Sequence, residues 1–291
     1  MKIYGRLGRL DVGDDYPVRV VGVINVSPES FYKGSVATAS REVSELAIKL
    51  VSEGCDVIDV GGRSTAPYLM TEVPIEEEVR RVREAIKVIR DVVDVPISVD
   101  TFRARVAEEA LKLGAEIVND VSGLKGDPNM IKVIKDYEPS LIICAKELNP
   151  LTNNPPIDRV LNALRESLDM LIKADYDLTK VTIDPCIGFF RYPEIPWYIW
   201  DLSILANLIK LRELGRPIAI GISRKSFIGV LTGREKPEER LYGSIALTAI
   251  AVVCGAHVVR THDVAATKDA IKAVEAFKKH NIRLSINYPI H

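Results

Sequence analysis

Cysteine is scarce in this chain, four among 291 residues, and Cys55, Cys144, Cys186 and Cys254 stand far apart with no CxxC spacing. That scarcity excludes a disulfide framework and a zinc ribbon, and the expectation is four small buried thiols in a reducing compartment. Aromatic residues are also few, at 6 %. Long apolar runs are missing: the longest, Ile245 to Gly255, is about half of what a bilayer-spanning helix needs. The opening MKIYGRLGRLDVGDD has no apolar centre of a secretion signal, so the expected compartment is the cytoplasm. An excess of either charge is lacking as well. Lys plus Arg number 39 and Asp plus Glu 40, for a net charge of -1. No global field draws nucleic acid or anionic membrane, so an anion site has to be local.

What the chain does have is rhythm. Short runs rich in Val and Ile recur at 18–24, 55–60, 95–99, 115–119, 140–144, 180–184, 217–221 and 257–260. They are continuously apolar rather than alternating, which fits parallel strands covered on both faces. Amphipathic segments lie between them, such as SREVSELAIKLVSEG, where Val43, Leu46, Ala47 and Leu50 form one stripe and Gly54 ends the helix. Eight strand–helix units in roughly 250 residues predict a single (β/α)8 TIM barrel over residues 1–291, with an open doubly wound sheet as the alternative. No linker or composition break divides the chain. The segment CIGFFRYPEIPWYIWDL reads as a long loop after the sixth strand.

In such a barrel the reactive groups stand where strands run out into the following loops. Read at those positions, the first strand delivers Asn25, the third Asp100, the fourth Asn119 and Asp120, and the sixth Asp184. The seventh leads to Ser223, Arg224 and Lys225, and the eighth to Arg260 and His262. Asp120 alone reads as a helix N-cap. Arg260 and His262, two apart, share one face of an extended strand and suit an anion clamp. Carboxylates with an amide suit a heterocycle that presents adjacent N–H donors, since a buried carboxylate accepts two parallel bonds from an amino-pyrimidinone edge. Lys225 can donate to a ring carbonyl or nitrogen. The inferred ligand therefore has a flat hydrogen-bonding ring at one end and phosphate-like charge at the other.

These motifs, from about residue 20 to 280, resemble the dihydropteroate synthase family, pterin-binding TIM barrels of folate biosynthesis. INVSPESF is similar to the family's first loop, and DVIDVGGRSTAP to its second. PISVDT, IVNDVSG, IDPCIGF, IGISRKSFIG and VVRTHDV follow in the family's order. The resemblance implies that Asp100, Asn119, Asp184 and Lys225 bind the pterin. It implies that Asn25, Arg63, Arg260 and His262 face the pyrophosphate, with Asn25 on Mg²⁺. It places Thr65, Phe189, Ser223 and Arg224 around the arylamine, with Ser223 meeting the carboxylate of p-aminobenzoate. Lys225, Arg260, His262 and Asn25 would carry the catalysis. The implied reaction joins 6-hydroxymethyl-7,8-dihydropterin pyrophosphate to p-aminobenzoate and releases pyrophosphate, in a homodimer built on helices near the C-terminus.

The sequence strays from the family pattern mostly on the arylamine side. Ala66 stands for the usual Arg and Arg63 for the usual Glu; Glu29 and Lys33 replace aspartates. Cys186 and Phe190 occupy positions that are normally glycine, and LIICAKE lacks a His and a Met. Three alternatives stay open on the sequence. One is a sister enzyme taking a phosphoribosylated aminobenzene, for which Lys33, Arg63 and Arg191 supply charge. The others are a pterin-binding paralogue without synthase activity and a methyltetrahydropterin:corrinoid methyltransferase.

Overall fold

The first two strands form a hairpin outside the eight apolar runs. In a computed structural model that describes residues 2–27, 33–37, 39–64, 73–148, 154–189, 194–280 and 282, β1 (Tyr4–Leu7) pairs antiparallel with β2 (Leu10–Gly13). Eight parallel strands follow, on the eight apolar runs: β3 (Arg19–Asn25), β4 (Val57–Gly61), β5 (Ile97–Asp100), β6 (Ile117–Asp120), β7 (Ser140–Cys144), β8 (Val181–Asp184), β9 (Ala219–Ile220) and β10 (Val258–Thr261). Their order is β8-β7-β6-β5-β4-β3-β10-β9. A bridge between Ile183 and Ile218, with Ile183 N donating to Pro217 O at 2.9 Å, joins the two ends. The sheet is thereby a nearly closed barrel.

Helices α1 (Ser40–Ser52), α2 (Ile75–Val92), α3 (Ala104–Lys112), α4 (Met130–Tyr137), α5 (Pro156–Lys173), α6 (Trp197–Ala206), α7 (Ser226–Thr232), α8 (Leu241–Val253) and α9 (Val264–Lys279) surround it. No helix among the described residues is long and apolar enough to cross a membrane. Alternation along each strand sets what faces where. Val20, Ile24, Ile58 and Val60 are buried in the core they share with helix residues such as Ala47, Leu50 and Ile86. The inward set near the strand starts, Val21, Val57, Ile117, Ile142, Ala219 and Val258, clusters instead with Leu7 and Val12 of the hairpin. The hairpin is thus a stopper at the N-terminal end of the barrel, and Gly8 N fastens it by donating to Ser140 Oγ at 2.9 Å. The opposite end stays available for chemistry.

Three expectations need correction here. Trp197–Leu202, the end of the expected loop, belongs to a helix, Trp197–Ala206, that starts behind Pro196 and buries Trp200, Ile204 and Leu205. The indole of Trp200 lies 4.8 Å beneath the Arg159 guanidinium. Asp120 caps no helix: its carboxylate accepts from Ser122 N, Ser122 Oγ and Leu124 N, tying down the turn after β6. The cysteines are not four thiols. Cys144 and Cys186 form a disulfide across neighbouring strand ends, with their Cα atoms 5.1 Å apart. Cys55 remains a thiol, pushed up to about 12 by burial, and Cys254 is a half-buried one.

Candidate active site

Where the strands leave the barrel, the inward positions turn polar. Asp59, Ser98, Asp100, Asn119, Thr182, Asp184 and Arg260 replace the aliphatic layer below them. Their strand register puts Asp59 beside Ser98 and Asp100 beside Asn119. Glycines open room between them. A Cβ on Gly61 would meet Asn25 Oδ1 at 3.1 Å and Asp100 Oδ2 at 4.0 Å. A Cβ on Gly221 would meet Arg260 Cβ at 3.8 Å and Asp184 Oδ2 at 4.0 Å. Glycine inside a strand commonly marks close approach of a ligand or another backbone.

Asp59, absent from the sequence expectations, organises this cup. Its Oδ2 accepts from Arg260 Nε at 2.7 Å and from Asn119 Nδ2 at 3.1 Å. Arg260 Nη2 then donates to Asp100 Oδ2 at 2.9 Å, so one guanidinium bridges two buried carboxylates. The signal for Asp59 was a charge amid the apolar run CDVIDV, where a solvent role is excluded by burial on both faces. Several buried polar atoms of the cup have no hydrogen-bond partner among the described residues: Asp59 Oδ1, Asp100 Oδ1, Ser98 Oγ and Thr182 Oγ1. Buried polar atoms are nearly always paired. Orphans concentrated on the inward face of one barrel end describe a ligand that brings its own donors.

The electrostatics follow from burial. The Asp100 carboxyl is pushed up to about 7 by desolvation, opposed by Arg260 and reinforced by Asp59, Glu78 and Asp120. Desolvation also raises Asp184, against Lys225, the Cys186 N–H and Arg260. His262 is pushed down to about 3 by burial and by the nearby cations Arg260, Arg224 and Lys225. It is therefore neutral at pH 7, and its Nδ1 pairs with Ser223 Oγ at 3.0 Å. The expected anion clamp has one charge, on Arg260, plus a neutral imidazole.

Around this cup the other expected residues divide. Lys225 lies over the Phe189 ring at 4.7 Å and donates to Ile187 O, which ties the loop after β8 to the turn that follows β9. Asn25 Nδ2 donates to Ser35 Oγ at 2.7 Å, which fixes the amide. Arg63 stands near Asp100, stacked 4.6 Å over Phe102 and 3.8 Å from Glu78, and its Nε has no hydrogen-bond partner among the described residues. Arg224, expected beside the arylamine, is held by an ion pair. It sits at φ 57, its guanidinium is bound to both Asp263 oxygens at 2.6 and 2.8 Å, and Nη1 donates to the Pro237 and Glu238 carbonyls. It fastens the segment before α8 to the end of β10. Thr65, Ala66, Glu29, Phe190 and Arg191, and the Lys33 side chain, lie outside the described residues.

Known proteins resemble this chain along nearly its whole length. Residues 21–262 match the family described as pterin binding enzyme. A dihydropteroate synthase of Synechocystis is 34 % identical over 265 residues, 88 % of this chain and 89 % of that one. The solved dihydropteroate synthase of Xanthomonas albilineans with 4-aminobenzoic acid has a TM-score of 0.84 at 34 % identity, covering 96 % of this chain and 99 % of its own. That of Burkholderia cenocepacia, complexed with 7,8-dihydropteroate, reaches 0.83 at 30 % identity, covering 97 % and 99 %. A strand-end cup of paired carboxylates, an amide and two cations, in a barrel matched along nearly its whole length, thus has its relatives: the chain belongs to the pterin-binding enzyme family, among the dihydropteroate synthases.

Proposed function

We propose that this cup holds 6-hydroxymethyl-7,8-dihydropterin pyrophosphate and joins it to p-aminobenzoate, forming 7,8-dihydropteroate and pyrophosphate. The observation that carries the reading is the orphaned Asp100 oxygen beside the Asp59–Arg260–Asn119 network. Asp100 and Asp184 accept N–H bonds from the pterin, Asn119 meets the remaining edge, and Lys225 donates to the ring over Phe189. Asp59 holds Arg260 and Asn119 in place for this. Arg260 Nη1, used by neither carboxylate, is available to the pyrophosphate, alongside neutral His262. The amine nitrogen attacks the methylene carbon as the C–O bond breaks and its electron pair leaves with pyrophosphate; the amine proton passes to solvent. Positioning contributes more here than a strong base, because an arylamine is already a free nucleophile.

A divalent cation fits as part of this reading. Among the described residues no three His, Cys, Asp or Glu side chains group to hold a metal alone. Asn25, its Nδ2 committed to Ser35, presents one amide oxygen, and Mg²⁺ typically takes few protein ligands with water and substrate phosphates completing the set. Bound there, Mg²⁺ would neutralise leaving-group charge. Purified protein given the pterin pyrophosphate, p-aminobenzoate and Mg²⁺ is expected to release pyrophosphate and dihydropteroate in equal amounts, and chelation is expected to stop it. No release with the amine present would sink the reading.

The pH dependence has a defined sign. An N–H donor needs ionised Asp100, and below about 7 the proton it carries must leave first. Affinity for 6-hydroxymethyl-dihydropterin, which has no pyrophosphate to titrate, is expected to fall about tenfold from pH 8 to pH 6. Calorimetry at both pH values checks this, and Asp100→Asn should remove the slope.

The same reading includes a homodimer. Helix α8 carries no charge over Leu241–Val253 and buries only Ser244, Thr248 and Ala251, leaving Tyr242 85 % exposed and Ile250 also outside. Val230 and Leu231 of α7 and Phe277 of α9 are further exposed apolar residues on helices that contact α8. A patch of this kind needs a cover in a soluble protein. Sedimentation is expected to give a dimer for the wild type and a monomer for Tyr242→Glu/Ile250→Glu.

A further inference from the structure

The disulfide stands in the wall of the cup. Cys144 ends β7 in register with Asp184 on β8, and Cys186 opens the loop that follows. That short loop contacts two of the three charged residues assigned to the pterin, Asp184 and Lys225. Cys186 N donates to Asp184 Oδ1 at 2.6 Å. Ile187 O accepts from the Lys225 ammonium, and the Phe189 ring lies under it. Gly188 lies against the Lys225 stem, where a Cβ would come within 2.8 Å of Cδ. Gly188 N in turn donates to the buried Asp201 Oδ1 at 2.8 Å.

The loop's backbone does not suit its first residue. Cys186 has φ 62, in the left-handed region that a side chain disfavours and glycine enters freely. The pattern that the surrounding motif resembles has glycine at that position. What is unusual in the sequence and what is strained in the backbone therefore coincide at one residue, and that residue is the one tied covalently to β7. Both cysteines are buried, at 5 and 2 % exposure, so the tie is shielded from solvent.

We propose that the Cys144–Cys186 bridge is a positioning device for Asp184 and Lys225, holding the loop at 186–189 in the conformation that presents a carboxylate and an ammonium to the pterin. The proposal rests on the pterin reading of the cup. Its consequence is specific: breaking the bridge weakens use of the pterin substrate, which loses the placement of both Asp184 and Lys225, more than use of the arylamine, which loses only that of Phe189. Glycine at 186 without the bridge restores the conformation by a second route.

The first measurement is the thiol count. Denatured, unreduced protein alkylated with N-ethylmaleimide is expected to carry the label on Cys55 and Cys254 only; label on Cys144 and Cys186 overturns the proposal. The second is kinetic. Cys144→Ala is expected to raise KM for the pterin pyrophosphate about tenfold, the scale of one charge-assisted hydrogen bond. KM for p-aminobenzoate is expected to rise clearly less, and kcat to stay within about twofold. Cys144→Ala/Cys186→Gly is expected to recover most of the pterin KM. A bridge that only stabilises would lower Tm in both variants with KM unchanged, and that result overturns the proposal.

Should Cys144→Ala not fold, wild-type protein reduced with a phosphine supplies the same comparison. There the phosphine gives two electrons and becomes the oxide with oxygen from water, while the bridge takes two protons to become two thiols. Asp184→Asn separates the two failures. If it leaves the pterin KM unchanged, the reading of the cup is wrong. If it raises that KM while Cys144→Ala does not, the bridge proposal alone is wrong.

Discussion

Asp184→Asn is expected to lower kcat/KM for the pterin substrate by about 10²- to 10³-fold while leaving the fold intact. The carboxylate is buried and its proton affinity is raised by desolvation, so the free enzyme holds it at a cost partly offset by Lys225. Asparagine has nearly the same shape and no charge to desolvate. The unliganded protein should therefore lose little stability. The complex behaves differently. A carboxylate accepting two N–H bonds contributes about 1.5–3 kcal/mol for each, and the amide presents its own N–H where one acceptor is needed. Steady-state kinetics and thermal melts on one preparation check both halves. A kcat/KM within threefold of wild type would remove Asp184 from the site.

Arg260→Met should do the reverse, damaging stability and activity together. Its guanidinium is the shared partner of Asp59 and Asp100, both buried, and removing one member of such a network costs about 3–5 kcal/mol. The loss has a pH signature. Arg260 is the group that holds the Asp100 proton affinity down, and with it present the carboxyl already lies near 7, above its unfolded value. A raised folded pKa contributes stability that is present at low pH and lost as pH rises through it. Without Arg260 that loss deepens. Urea denaturation is expected to show a smaller penalty at pH 5 than at pH 8, and Asp59→Asn in the same protein should recover part of it. An equal penalty at both pH values would mean that the guanidinium acts through packing alone.

Much of this site was legible because parallel barrels put chemistry at strand ends, and strand ends can be found from apolar runs. Asp100, Asn119, Asp184 and Arg260 all fell to that rule and converge in the cup. Asp59 escaped it because it sits inside its strand, where only the inward alternation shows that it faces the same space. Arg224 and Lys225 are neighbours in sequence, but φ 57 at Arg224 sends the two side chains to different partners, Asp263 and Phe189. Helix α6 is apolar on every side, so no periodicity marked it. The hairpin strands of four residues were too short to register. The disulfide joins residues 42 apart, and only the adjacency of β7 and β8 makes that pair available.

The most direct test of the cup is a crystal structure with 7,8-dihydropteroate bound. The account predicts the pterin ring between Asp100, Asn119, Asp184 and Lys225, with ring N–H groups within about 3 Å of the two carboxylates and Asp100 Oδ1 no longer without a partner. A ring bound elsewhere, with Asp100 Oδ1 still unpaired and Asp59, Arg260 and Asn119 untouched, would contradict it.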